Sequence, residues 1–149
     1  VIDTAQQIIN ELIASHAFRG VSLAIDSESV MQEKQIKGNA QAWVIELKTN
    51  AKQNSRDMGT PVQIEQQLFA VIMAIKQVND GDGEKTAAIL KEKRLAVREK
   101  LFGFVPKSVN DSYTPLVLAG SRLLKIKKPI TFWAEIFSTT HQIDMENLI

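Results

Sequence analysis

The sequence predicts an α+β fold: a single, mostly antiparallel β-sheet with two main helices packed against it, in the order helix, strands, helix, hairpin. Three observations carry this. Apolar residues recur at helical spacing in two separate stretches, near the N-terminus and at 84–102. Residues 42–48 place Trp43, Ile45 and Leu47 on one strand face, with Glu46 and Lys48 on the other. The last third is rich in β-branched, leucine and aromatic residues, punctuated by Lys127, Lys128 and Pro129.

The first helix is read from Ile2, Ala5, Ile8, Ile9, Leu12 and Ile13, which share one face. Asp3 supplies an N-cap, and Gln6 three residues later completes a capping-box pattern. Gly20 marks the end of this unit, and Val21–Ile25 is a short apolar run expected to form a strand. Residues 27–39 are polar and poorly periodic, so a loop or frayed element is expected there. In Ala42–Lys48, Trp43, Ile45 and Leu47 line one strand face, with Glu46 and Lys48 on the other.

Residues 49–61 are the least core-like stretch: Lys52, Asn54, Arg56 and Asp57 lie among Gly59 and Pro61. A polar connection of this length is expected to serve interaction. Val62–Val78 fits two templates. Ile64, Leu68, Val71, Ile72 and Ile75 make a helical stripe, whereas Phe69, Val71, Met73 and Ile75 alternate as in a strand covered on both faces. Asn79-Asp80-Gly81-Asp82-Gly83 is a break. It resembles the start of a calcium loop but lacks the remaining ligands, so Asp80 and Asp82 are read as cap and turn residues.

Glu84–Phe102 is the second helix, with Ala87, Leu90, Val97 and Leu101 on one face and Gly103 as its stop. Arg94 interrupts that face and is expected to snorkel. Leu116–Lys128 and Ile130–Ser138 form the closing hairpin, where Gly120 marks a bulge or a close backbone approach. Residues 141–149 are expected to be a loose tail.

The chain has 149 residues and is expected to form one domain, 1–149. Its formal net charge is +1, which gives no reason to expect strong nonspecific nucleic-acid binding. The absence of cysteine excludes disulfides, thiolate nucleophiles and cysteine-bearing zinc sites. Val1-Ile2-Asp3-Thr4 shows no basic or apolar region of a leader, and no apolar run is long enough for a membrane helix. The two histidines, His16 and His141, stand near opposite ends in no metal-binding spacing and are read as surface or helix-end residues. Nucleophile elbows, phosphate-binding loops and dinucleotide fingerprints are missing. No catalytic residue, cofactor or metal is therefore expected, and an enzyme is not. Lysines and arginines crowd the second helix (Lys91, Lys93, Arg94, Arg98, Lys100) and the hairpin tip (Lys125, Lys127, Lys128). Interleaved Glu92 and Glu99 favour a helix-dipole and edge-protecting role over a DNA-facing one.

Two pieces of the C-terminal half carry a resemblance. Leu101-Phe102-Gly103-Phe104-Val105-Pro106 follows a helix directly. Pro115-Leu116-Val117-Leu118-Ala119-Gly120-Ser121-Arg122-Leu123 precedes Phe132-Trp133-Ala134-Glu135-Ile136-Phe137-Ser138-Thr139. In order and spacing these resemble the tail terminator (tail completion, minor tail) proteins of Mu-like and lambda-like long-tailed phages. Phe104 stands where that group often has tryptophan. The resemblance makes Gly103, Phe104, Pro106, Gly120, Trp133 and Phe137 fold-motif residues. It also implies that Val62–Val78 is a long central strand pairing with Ala42–Lys48.

The function it implies is structural. A hexameric ring of this homo-oligomer would cap the tail tube protein and present a surface to the neck or connector protein. Sheath protein would be a further partner if the tail is contractile. DNA would pass through the lumen without sequence-specific binding, and no membrane would be involved. The expected location is the tail–neck junction of the virion, after assembly in the host cytoplasm. Expected contacts are Lys52, Arg56 and Met58 in the loop and Arg94 and Arg98 on the second helix. Two other readings compete: another neck, head–tail joining or tube-like component, and a small ligand-binding domain or enzyme.

Overall fold

A computed structural model describes residues 3–146 and 148. Helix α1 (Thr4–Ala14) begins at Asp3, whose carboxylate accepts the Gln6 N–H at 2.8 Å. The Gln6 side chain donates to Asn10 Oδ1 at 3.0 Å. Ala5, Ile8, Ile9 and Leu12 are buried and Ile13 turns outward; Ile2 lies outside the described residues.

Strand β1 (Gly20–Leu23) pairs in parallel with β2 (Ala40–Ala51). Between them lies a short helix, α2 (Ser27–Met31), where a loop is expected from the sequence. Asp26 caps it by accepting the Ser29 N–H at 2.7 Å, and Val30 anchors it. At the far end Lys127 Nζ donates to the carbonyls of Met31 and Glu33 at 3.1 and 3.4 Å, using a cation to close a helix C-terminus. That is a different use from the edge protection expected of this lysine.

Val62–Val78 resolves into the strand β3 (Gln63–Lys76), with α3 (Glu84–Leu101), β4 (Val117–Lys127) and β5 (Ile130–Ile143) following. The sheet order is β1-β2-β3-β5-β4, antiparallel except at β1–β2. Strand β3 is central, and from Phe69 to Ile75 it is covered on both faces. Phe69, Val71 and Met73 face α1 and α3, joined by Ala42, Val44 and Phe137. Ala70, Ile72 and Ala74 face the other way and pack with Trp43, Ile45, Phe132 and Ala134 beneath Val30, Met31 and Ile36. Two buried faces make every position from Leu68 to Ile75 apolar, which is why the sequence matched both helical and strand periods.

In α3, Leu90, Val97 and Leu101 are buried as expected, but Ala87 is exposed. Helix α3 ends in a tight turn: Phe102 is extended, Gly103 has φ +85°, and the Phe104 N–H reaches the Leu101 carbonyl at 3.0 Å. This is the backbone of a type II turn, whose third position requires the positive φ that glycine adopts without penalty. Phe104 and Pro106 then fold back on the core.

The β4–β5 ladder slips twice, between Leu118 and Gly120 and between Leu123 and Lys125. A Cβ at Gly120 would meet nothing within 4 Å, so this glycine marks a bulge and not a close approach. Strand β5 runs on through Ile143, so residues 141–143 belong to the sheet and are not a loose tail.

Candidate interaction surface

Strand β2 is buried and, apart from Gln41, apolar from Ala40 to Ile45, then exposed and, apart from Leu47 and Ala51, polar from Glu46 to Ala51. The change coincides with a bulge at Leu47, since Glu46 pairs with Phe69 and Lys48 with Leu68. Beyond that point β2 and β3 form an arm, so Thr49–Ala51 lie in a strand and the connecting loop is 52–62. Asn54 organises the loop. Its Oδ1 accepts the N–H groups of Arg56 (3.2 Å) and Val62 (2.9 Å), and its Nδ2 donates to the Arg56 carbonyl at 2.7 Å. Ser55 N–H meets the Val62 carbonyl at 2.9 Å. The tip therefore carries its own scaffold. Lys52, Arg56 and Met58 are all exposed on it, and Met58 is 88% accessible, an apolar side chain held out into water.

Arg94 and Arg98 are placed elsewhere. Arg94 Nε donates to Glu135 Oε1 at 2.7 Å, and Arg98 Nη2 donates to Glu135 Oε2 at 3.1 Å. Glu135 is fully buried, and both arginines retain partial contact with solvent. The Arg94 guanidinium lies 4.3 Å from the centre of the Trp133 ring, whose Nε1 donates to Glu135 at 3.3 Å. Arg94 thus does not simply snorkel. The pair clamps α3 to β5 through one carboxylate and leaves Leu95 and Phe102 on the helix's outer side. Burying that carboxylate without cations would carry a large desolvation cost, so the three charges act as a unit. Trp133 and Phe137 sit inward from α3, with Phe137 fully buried.

Asp80 accepts the Thr86 N–H and hydroxyl, each at 2.7 Å, and the Lys85 N–H at 3.2 Å; Asp82 accepts the Glu84 N–H at 3.2 Å. Both are cap and turn residues, as expected. The Thr86 hydroxyl, then its N–H, hold the Asp80 carboxyl below its ordinary range.

One cluster escapes the sequence reading. His141 is only 1% exposed, unlike the surface residue expected, whereas His16 does stand exposed just beyond α1. The His141 Nε2 lies 2.9 Å from Glu65 Oε1 and 3.3 Å from Gln67 Nε2, and its ring stacks on Tyr113 at 4.5 Å. These contacts fasten the 104–116 connection to the root of the arm. Among the described residues no group of three His, Cys, Asp or Glu side chains converges as metal ligands do.

The comparisons with known proteins fit a structural element of this kind. The sequence matches the family model described as phage tail terminator protein over residues 2–147. No curated protein matches it. The fold is similar to a chain of the virion of a native gene transfer agent particle, with TM-score 0.52, 14% identity, and coverage of 93% of this chain and 92% of that one. The likeness spans both chains but at that identity concerns the fold. With the family match extending over nearly its whole length, this chain belongs to the phage tail terminator protein family and is a structural protein of the phage tail.

Proposed function

We propose that six copies of the chain form a ring that ends the tail tube and joins it to the head-side connector. The observation that carries this reading is the β2–β3 arm, a scaffolded projection whose residues 46–62 are almost entirely exposed. A side-chain set of this kind contributes little to folding and is available to a neighbour. Ring closure requires two different patches per subunit, one for each neighbour. Lys52, Arg56 and Met58 on the arm would form one. Arg94 and Arg98 would act indirectly, by fixing the outer side of α3 for a contact.

Termination then needs no covalent step. One ring face complements the last ring of tube subunits, and the other offers no surface for a further tube ring. The difference in affinity between those faces stops growth. The opposite face would meet the neck, and a sheath if there is one, while DNA passes through the lumen. The domain would span 1–149, and assembly would take place in the host cytoplasm. No described helix is long and apolar enough to cross a membrane.

Imaging of intact particles tests this directly. A sixfold ring of this chain between tube and connector is expected, and particles lacking the chain should carry tubes of uncontrolled length. The chain found as a lone subunit away from the tube end, or tails of normal length without it, would overturn the proposal.

A further inference from the structure

At the inner end of the sheet, the 79–83 turn and the β4–β5 hairpin flank a cleft of about 550 Å³. Leu90, Leu123, Ile126, Pro129 and Trp133 are among its walls, and Asp80, Asp82 and Lys128 stand on its polar side. Ile126 is 57% exposed there, so apolar surface is left to water. At the outer end stands the arm tip, where Met58 projects among Lys52, Arg56 and Asp57.

Strand β3 connects the two ends and is 14 residues long. At the rise of an extended chain it spans roughly 45 Å. A subunit cannot place its own tip in its own cleft, whereas a second copy beside it can. The net charges are opposite. The tip has two cations against one carboxylate, and the cleft has two carboxylates against one ammonium.

We propose that the arm tip of one copy seats Met58 in this cleft of the next copy, with Lys52 and Arg56 facing the Asp80–Asp82 turn. This rests on the ring reading and names the surface that receives the arm. Methionine suits the role, because its unbranched, polarisable side chain adapts to irregular apolar walls and its sulfur packs well at an aromatic edge such as Trp133. The charges at the rim orient the docking more than they strengthen it. Asp80 is committed to the N-terminus of α3 by its bonds to Thr86, which leaves Asp82 as the more available carboxylate. Tip and cleft are different surfaces at opposite ends, so each copy gives to one neighbour and receives from the other. Repetition of that contact closes a ring when each step turns by one sixth.

The lack of native cysteine makes the test clean. Tails are assembled with Met58→Cys and Ile126→Cys in the same chain and treated with a short bis-maleimide. A ladder of covalent multimers is expected on a denaturing gel. Met58→Cys alone, or paired with Val109→Cys, should give none. Monomer only, from tails in which imaging shows the ring intact, overturns the arm-to-cleft contact and leaves the ring standing. Tails without a ring overturn the reading beneath it. If the paired cysteines block assembly, charge reversal decides. Arg56→Asp should lower the yield of assembled tails several-fold, and Asp82→Arg in the same chain should restore it. Failure to restore overturns the contact.

Discussion

The two halves of β2 share one backbone ladder and differ in everything else. From Ala40 to Ile45 the strand is enclosed between α1 and α2, while from Glu46 to Ala51 it is open to water although β3 still pairs with it. Backbone pairing alone therefore does not recruit a side chain to the core; a covering layer does. The inner half supplies stability, and the outer half is free to change its side chains for other purposes.

Three substitutions and one loop replacement test that division, from the largest expected loss of stability to the smallest. Phe132→Ala removes a fully buried ring from the face under α2 and should cost about 3–5 kcal/mol in urea unfolding; a loss below ~1 kcal/mol would mean that α2 does not seal a packed core. Glu135→Ala should come next. Breaking a buried ion pair costs about 3–5 kcal/mol, and the solvent contact of both arginines lowers this to about 2 kcal/mol. Amide exchange should show α3 loosened more than α1. Gly103→Ala puts a Cβ on a backbone at φ +85°, with nothing near enough to clash. Conformational strain alone should cost about 1–2 kcal/mol, seen as a small drop in thermal midpoint. Replacing residues 55–61 by a short turn should change stability by no more than about 0.5 kcal/mol. For assembly the order reverses, and the shortened arm should lower tail yield most among variants that fold. A shortened protein that fails to unfold cooperatively would place the arm within the core.

Much of this division was legible beforehand. The apolar spacing of α1, the stop at Gly103 and the polar stretch around Lys52 and Arg56 each reflect a local rule acting on nearby residues. Strand β3 was ambiguous because burial on both faces erases the alternation that identifies a strand. Helix α2 is too short to display a helical period; the one usable signal was Asp26 standing three residues before Ser29. His141 falls where the sequence suggests a tail, although the β-branched Thr139, Thr140 and Ile143 around it continue the strand. The clamp on Glu135 could not be read at all. Arg94 and Glu135 are 41 positions apart, and only the packed sheet brings them together. The arm residues were singled out by composition, but the cleft at the opposite end was not, since Leu90, Leu123 and Trp133 each look like ordinary core until the fold leaves a space between them.

The two slips in the β4–β5 ladder have a consequence for the molecule's outer margin. An even strand with free amides is an invitation to endless side-by-side growth, the route to fibres. Interrupted after Leu118 and again after Leu123, and studded with Arg122 and Lys125, β4 is a ragged hem onto which another strand registers poorly. For a protein that would itself mark where a polymer stops, a border that discourages accretion keeps the chain from seeding a polymer of its own.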